Sequence, residues 1–519
     1  MINRIPFCSF SFLIFLFILS DVSLSASFFL KDSALLELIS DHNDASPFGV
    51  HNPKVPDRPE MSPHNPGQRP FGYDLPAEAV KAGFHWARYC GFEGLVWDLV
   101  ETRPGIYDWS RTDYLFTEAW RAGLRLIVVI HCFNRLDSPY RAIMGGGPSS
   151  RKPANMKSYL KWLAAAIERY DGDGVDDAPG SPIINHWEVE NEVETVFWND
   201  SPQNYARLLI ESSDVIRKAN PKAEILIAGT AGPGWINGKP ICGLPQFYLE
   251  ILDTLESEAP GRKIFDIFNY HVYFDMASNT EFIADHLREI RRQLKKYGYD
   301  NYPVWCTETG TYSGRPLDME GKVRVPLKSE RVQAFELLRI YLGALSEGVG
   351  KVFWCTLTEW HAFGGVEDTI WDNIGLIHNP ANHGRSYPKL AYFTLQNFSR
   401  LYEERGWTEG KRILRSSPFF IFCFQGEKTE KTEKTKKPGA GDSWIVWPIE
   451  PPSGPGFQNV PIDGSAGTKY RVTELLPAPV SGDFGNTLKP VFREAIITAE
   501  KNGDLKLFFG DSPLLVDAL

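Results

Sequence analysis

LRLIVVIHC at Leu124–Cys132, NMKSYLKWLAAAIERY at Asn155–Tyr170 and IINHWEVE at Ile183–Glu190 follow one another along the chain, and together they decide the fold. The first is a short apolar run rich in β-branched residues, which reads as a strand covered on both faces. The second is amphipathic with the helical period, and the third is strand-like again. Strand, helix, strand in that order describes a parallel pair joined by a crossover helix. Working outward, the same alternation recurs from Pro47–Asn52 (PFGVHN) and Phe84–Cys90 (FHWARYC) upstream to Glu224–Gly229 (EILIAG), Phe265–Tyr273 (FDIFNYHVY), Pro303–Thr307 (PVWCT) and Lys351–Leu357 (KVFWCTL) downstream. Further amphipathic segments lie at Asn204–Ala219 and Glu281–Tyr297. Eight such units predict an α/β chain folded as a (β/α)8 TIM barrel over residues 45–400.

After Asn397 the helical pattern stops, and short alternating runs at Phe419–Phe424, Trp444–Pro448 and Leu505–Phe509 predict a small antiparallel, β-sandwich-like domain over residues 405–519. The insert EKTEKTEKTKK at Glu427–Lys437 cannot bury apolar surface and reads as a mobile loop. At the other end, Arg4, the apolar run Phe10–Leu19 and the small residues Ser23, Ser25 and Ala26 read as a signal peptide over residues 1–26. A secreted or periplasmic mature chain with no membrane span is the expectation.

Of 519 residues 43% are apolar and 13% aromatic, enough for a large core. The net charge of -10 argues against nucleic acid as partner, since phosphate binding needs a basic surface. Fifteen Trp and 20 Tyr suit the apolar faces of sugars, although most aromatics in any chain are core. The seven cysteines form no framework, and no pair has metal-ligand spacing. Cys90, Cys132, Cys306 and Cys355 read as small buried hydrophobes, and neither metal nor cofactor is expected.

Barrel active sites lie at the C-terminal ends of the strands, so polar residues closing apolar strands are the candidates. These are Arg88, His131, Asn191, Glu192, His271, Tyr273, Glu308 and Trp354, which converge on one mouth if the strands are as read. Glycoside hydrolysis needs a proton donor for the leaving oxygen and, with retention, a carboxylate that attacks the anomeric carbon. Glu192 and Glu308 supply the pair. Arg88 and Tyr273 are expected to keep Glu308 ionised, while partial desolvation near that charge keeps Glu192 protonated. Asn191 is expected to hold the sugar 2-OH and Trp354 to floor the pocket, with His131 and His271 lining it. His51, Trp360 and His361 are weaker candidates. Glu188, Glu190 and Glu194 compete with Glu192, because an Asn-Glu pair is common by chance.

WEVENEV and WCTETG resemble the acid/base and nucleophile strands of glycoside hydrolase clan A, with family 39 the nearest flavour and an active-site set similar to that of family 5. The likeness spans Phe48 to Phe398 and includes WDLVETRPGIYDW at Trp97–Trp109 and PKLAY at Pro388–Tyr392. It implies a retaining glycosidase acting on a β-O-glycosidic bond of a carbohydrate substrate. The chain departs from the family 39 pattern at Glu190, where tryptophan is usual before the Asn-Glu pair. Two other functions share the constellation: a catalytically inactive carbohydrate-binding barrel, and a transglycosylase that offers the covalent intermediate to a sugar hydroxyl. A metal-dependent hydrolase would need His-x-His or bridging carboxylates at strand ends, and none is seen.

Overall fold

The computed structural model describes residues 45–53, 74–138, 149–236, 239–318, 321–362, 366–384, 386–407, 409–413, 418–425, 442–449, 455–462, 466–478 and 490–519. The segment read as a signal peptide and the EKTEKTEKTKK insert lie outside these. Eight parallel strands alternate with eight major helices. Strands β1 to β8 are Phe48–His51, Trp86–Tyr89, Arg125–His131, His186–Val189, Glu224–Ile227, Phe268–Tyr273, Val304–Gly310 and Val349–Trp354. Helices α1 to α8 follow them in turn: Leu75–Lys81, Ser110–Arg121, Met156–Arg169, Pro202–Ala219, Gln246–Glu258, Thr280–Lys295, Glu330–Ser346 and Leu390–Glu404.

The strands run β6-β7-β8-β1-β2-β3-β4-β5, and bridges from Leu226 to Ile267 and Thr230 to Tyr270 bring β5 back to β6. The sheet is thus a (β/α)8 barrel. Each of the eight runs read from the sequence overlaps one strand; the seventh strand runs on past Thr307 to Gly310, so that Glu308 lies within it, the eighth begins two residues early at Val349, and helix α8 carries the helical pattern seven residues past Asn397 to Glu404. Local sequence fixes the helix starts: Ser201, Asn279 and Ser329 each accept the backbone N–H three residues on, and Pro202 opens α4 where its missing N–H costs nothing.

Alternation along the strands sorts side chains into layers. Trp86, Ile127, Leu226, Ile267, Trp305 and Phe353 form an apolar plug inside the barrel. Gly49 carries no side chain because a Cβ there would stand 2.3 Å from the Phe353 ring. The buried Lys351 ammonium lies over Trp86 at 4.2 Å and Trp305 at 5.2 Å, so its charge meets aromatic faces. Toward the C-terminal ends the inward residues turn polar: Arg88, Glu188, Asn269, His271 and Thr307 are all fully buried. Such a layer is tolerable only if its donors and acceptors are paired.

The WDLVETRPGIYDW segment forms a short helix, Trp97–Val100, and a hairpin of Glu101–Arg103 with Ile106–Tyr107, closed by Glu101 accepting from the Trp97 indole and Gly105 N. Beyond α8 the chain is antiparallel. Strands β9 to β16 are Glu409–Ile413, Phe419–Gln425, Asp442–Pro448, Gly456–Val460, Lys469–Glu474, Glu494–Thr498, Leu505–Phe509 and Leu514–Ala518. Six form a sheet, β9-β10-β11-β16-β13-β14, and β12 pairs with β15. Both contribute to one core, in which Val460, Leu505, Leu507 and Phe509 of the ribbon meet Ile421, Trp444, Val472 and Val516 of the sheet. Arg331 of α7 joins this unit to the barrel through Asp511 and the Pro477 carbonyl, as does Arg405 through Asp517. Among the described residues no helix is long and apolar enough to cross a membrane.

Candidate active site

Arg88 is the hub. Its side chain is wholly buried, and each of its five N–H donors meets an acceptor. Nε and Nη2 hold Glu188 bidentately at 2.7 and 2.9 Å, and Nη2 also donates to Asn191 Oδ1 at 2.7 Å. Nη1 donates to Glu308 Oε1 at 2.6 Å and to His51 Nδ1 at 3.1 Å. His51 therefore presents a lone pair. Burial above all, with the positive charge of Arg88 adding, lowers its pKa to about 4, against the pull of Glu308. Because arginine only donates, Asn191 is turned with Oδ1 inward, leaving its amide nitrogen to meet a ligand.

Glu308 takes a second hydrogen bond on Oε2 from the Tyr273 hydroxyl at 2.6 Å. Burial alone would push its carboxyl up. The charges of His271, His51 and Arg88 and the tyrosine bond overcome that and hold it far below the carboxylate range. Arg88 and Tyr273 are the partners that act at every pH of interest, since His51 is neutral above about 4.

Across the mouth, Glu192 follows β4 in a turn where Glu190 and Glu192 both take left-handed backbone, φ 64° and 44°. Its N–H is held by the Gly229 carbonyl at 3.1 Å, and its Oε1 lies 2.8 Å from His271 Nδ1. Burial pushes Glu192 up and the Glu308 charge adds to this, with the His271 hydrogen bond opposing. His271 is disfavoured as a cation by burial, yet Glu308 and Glu192 raise it overall. A carboxylate oxygen of Glu192, one of Glu308 and a ring nitrogen of His271 all lie within 4.8 Å of one another. Two residues on, Glu194 accepts from Ala231 N at 2.7 Å, and burial followed by the Glu192 charge pushes it up to about 8.

Six of the eight expected residues, Arg88, Asn191, Glu192, His271, Tyr273 and Glu308, are thus joined in one hydrogen-bonded network. Arg88 belongs to it as a support: with all donors engaged it has none for a substrate. His131 stands apart. Its Nε2 accepts from Gly91 N at 3.1 Å and its Nδ1 faces Glu190 Oε2 at 3.2 Å, so neither nitrogen is left for a sugar. Glu190 also takes the Cys132 N–H at 2.6 Å, which gives the unusual glutamate a task away from Glu192.

Trp354 differs from expectation more sharply. It pairs in register with Val50 and follows the inward Phe353, so alternation sends it to the outer side of the sheet, where it is fully buried. The eighth-strand side chain at the site is Cys355, whose sulfur lies within 4.8 Å of ligand atoms of His51 and Glu308. Cys355 packs with Tyr273 and Ile374, against which Phe274, Trp360 and Trp371 lean, and this is the aromatic wall of the site. Trp371 lies 5.2 Å from the Tyr273 ring and 5.9 Å from Trp360. His361 instead faces Asn382.

Sequence reading missed Thr307, Cys355 and Trp371, and it carried Glu188 only as a competitor of Glu192 rather than as the bidentate partner of Arg88. Glu188 was within reach, because HWEVE places His186, Glu188 and Glu190 on one strand face. Glu359, His378 and His383 also cluster within 4.8 Å, but the Lys389 ammonium sits on Glu359 and neutralises it, tying the loop after β8 to α8.

No family model and no curated relative matches the sequence. Solved structures do. A family 39 glycoside hydrolase from Bacteroides cellulosilyticus superposes with a TM-score of 0.58 at 18% identity, covering 92% of this chain and 82% of that one. A monomeric beta-xylosidase from Caulobacter crescentus gives 0.56 at 13%, covering 91% and 96%. A GH51 alpha-L-arabinofuranosidase from Thermotoga petrophila gives 0.56 at 13%, covering 92% and 96%. The chain therefore has the fold of these glycoside hydrolases, the fold implied by its clan A resemblance.

Proposed function

We propose that the chain is a retaining glycoside hydrolase that cleaves a β-O-glycosidic bond of an oligo- or polysaccharide by double displacement. Glu308 attacks the anomeric carbon while Glu192 gives its proton to the departing oxygen; Glu192 then takes a proton from the water that attacks the glycosyl ester. The observation that carries this reading is the approach of the two carboxyl groups. Oxygens within 4.8 Å suit the roughly 5–5.5 Å separation of retaining pairs and are too close for the roughly 6.5–9.5 Å that admits a water. Opposite electrostatic settings of the two groups support the division of roles.

Azide tests it. With Glu308→Ala an activated aryl glycoside should give a glycosyl azide of inverted configuration, and with Glu192→Ala one of retained configuration. The reverse pattern exchanges the roles. A 2-fluoro glycoside should label Glu308 covalently, which an inactive carbohydrate-binding barrel would not allow.

A further inference from the structure

Beneath the catalytic pair, three fully buried inward residues of β6 and β7 form a chain: Asn269, Thr307 and His271. The Thr307 hydroxyl donates to Asn269 Oδ1, and its oxygen stands 3.0 Å from His271 Nε2. A hydroxyl has one hydrogen. Donated to Asn269, it leaves a lone pair toward the imidazole, and the hydrogen between Thr307 and His271 must belong to Nε2. The other ring nitrogen faces Glu192 Oε1 at 2.8 Å. Gly229 permits this placement, since a Cβ there would lie 2.3 Å from Nε2.

We propose that Thr307, oriented by Asn269, is a positioning residue that keeps a proton on Nε2 of His271, so that the last exchangeable proton of the Glu192–His271 pair sits in the Oε1–Nδ1 hydrogen bond. The inference rests on Glu192 being the acid/base. Its consequence is chemical. Once that proton passes to the glycosidic oxygen, the Glu192 carboxylate faces a bare Nδ1 rather than an N–H, so the site holds its proton firmly beforehand and draws one from water strongly afterwards. Without Thr307 the imidazole is free to carry its single proton on Nδ1 and donate it to the carboxylate, stabilising the spent form of the acid. Among the described residues, the other titratable or charged groups facing the pair include Glu308, Arg88, His51, Glu194 and Tyr248, with the thiols of Cys90 and Cys355.

The test compares Thr307→Val with Thr307→Ser on two substrates, a dinitrophenyl glycoside that needs no protonation and an alkyl glycoside that does. Thr307→Val should lose about tenfold more kcat/KM on the alkyl than on the dinitrophenyl substrate, and its alkaline limb should move down by about one pH unit. Thr307→Ser should restore both. Equal losses on the two substrates with an unmoved limb would overturn the proposal and leave Thr307 as packing. Nitrogen NMR of histidine-labelled wild type, with His271→Gln for assignment, decides the matter even if Thr307→Val does not fold: above the alkaline limb His271 should carry its proton on Nε2, and a proton on Nδ1 refutes the idea. Glu192→Ala serves as reference, since an equal loss on both substrates there would condemn the acid/base assignment itself.

Discussion

Replacing Glu188 by glutamine separates the structural carboxylate of this site from the chemical ones. In the native chain Arg88 is fully buried and makes two charge-assisted bonds to Glu188, at 2.7 and 2.9 Å, while Gly229 N donates to Glu188 Oε1 at 3.0 Å. Glutamine keeps one acceptor of similar shape. Its amide nitrogen, however, must face the Arg88 Nε–H in one orientation or both the Arg88 Nη2–H and the Gly229 N–H in the other, so one donor confronts another and at least one charge-assisted bond is lost. Breaking a buried pair costs about 3–5 kcal/mol, and the retained acceptor places this case at about 3 kcal/mol. Urea unfolding at pH 7 measures it, and azide kinetics on an aryl glycoside run alongside. We expect the stability loss together with a fall in turnover that azide does not relieve. A stability change under about 1 kcal/mol with activity rescued by azide would mean that Glu188, rather than Glu192, does acid/base chemistry.

Other perturbations address other parts. His51 and His286 are buried with pKa values lowered to about 4, so the unfolded chain binds their protons at about 6.5 and the folded chain does not; stability should therefore fall as pH drops from 6.5 toward 4. Between pH 7 and 5 each histidine should cost about 2 kcal/mol, and His286→Leu should remove its share from the unfolding free energies, whereas an unchanged pH slope contradicts the assignment. Gly229→Ala should drive the His271 ring away from Thr307 and Glu192 and lower kcat/KM on an unactivated glycoside by about 100-fold; wild-type rates would show that the close approach is immaterial. N-terminal sequencing of exported protein should find a start within a few residues of Ala26, and retention of Met1 would indicate an anchored chain.

The barrel was legible because short, predominantly apolar runs that end in polar residues alternate with amphipathic helical segments, a pattern independent of neighbours. Glu308 and Glu192 were legible for the same reason. What failed was the phase of alternation and the identity of partners. Nothing in KVFWCTL announces whether Trp354 or Cys355 points inward; the register with Val50 and the void left by Gly49 settle that. His131 closes a strand as a ligand-binding histidine would, yet a carboxylate 59 residues away takes one nitrogen and a loop amide the other. Arg88 was paired in advance with Glu308, but its bidentate partner lies 100 positions distant on β4. Such pairings follow from sheet closure, which strand-by-strand reading does not contain.

The saturation of Arg88 has a bearing on how this scaffold tolerates variation. Its five donors bind residues from β1, β7 and the β4 region to β2, so His51, Glu188, Asn191 and Glu308 respond to substitution as one unit rather than as independent sites. A change at any one of them strands a buried donor, which confines drift at these positions. Trp360 and Trp371 carry no such obligation to the guanidinium and sit on the outer wall. Variation can therefore accumulate on the wall while the hydrogen-bonded layer beneath stays fixed, a division of labour written into a single side chain's hydrogen count.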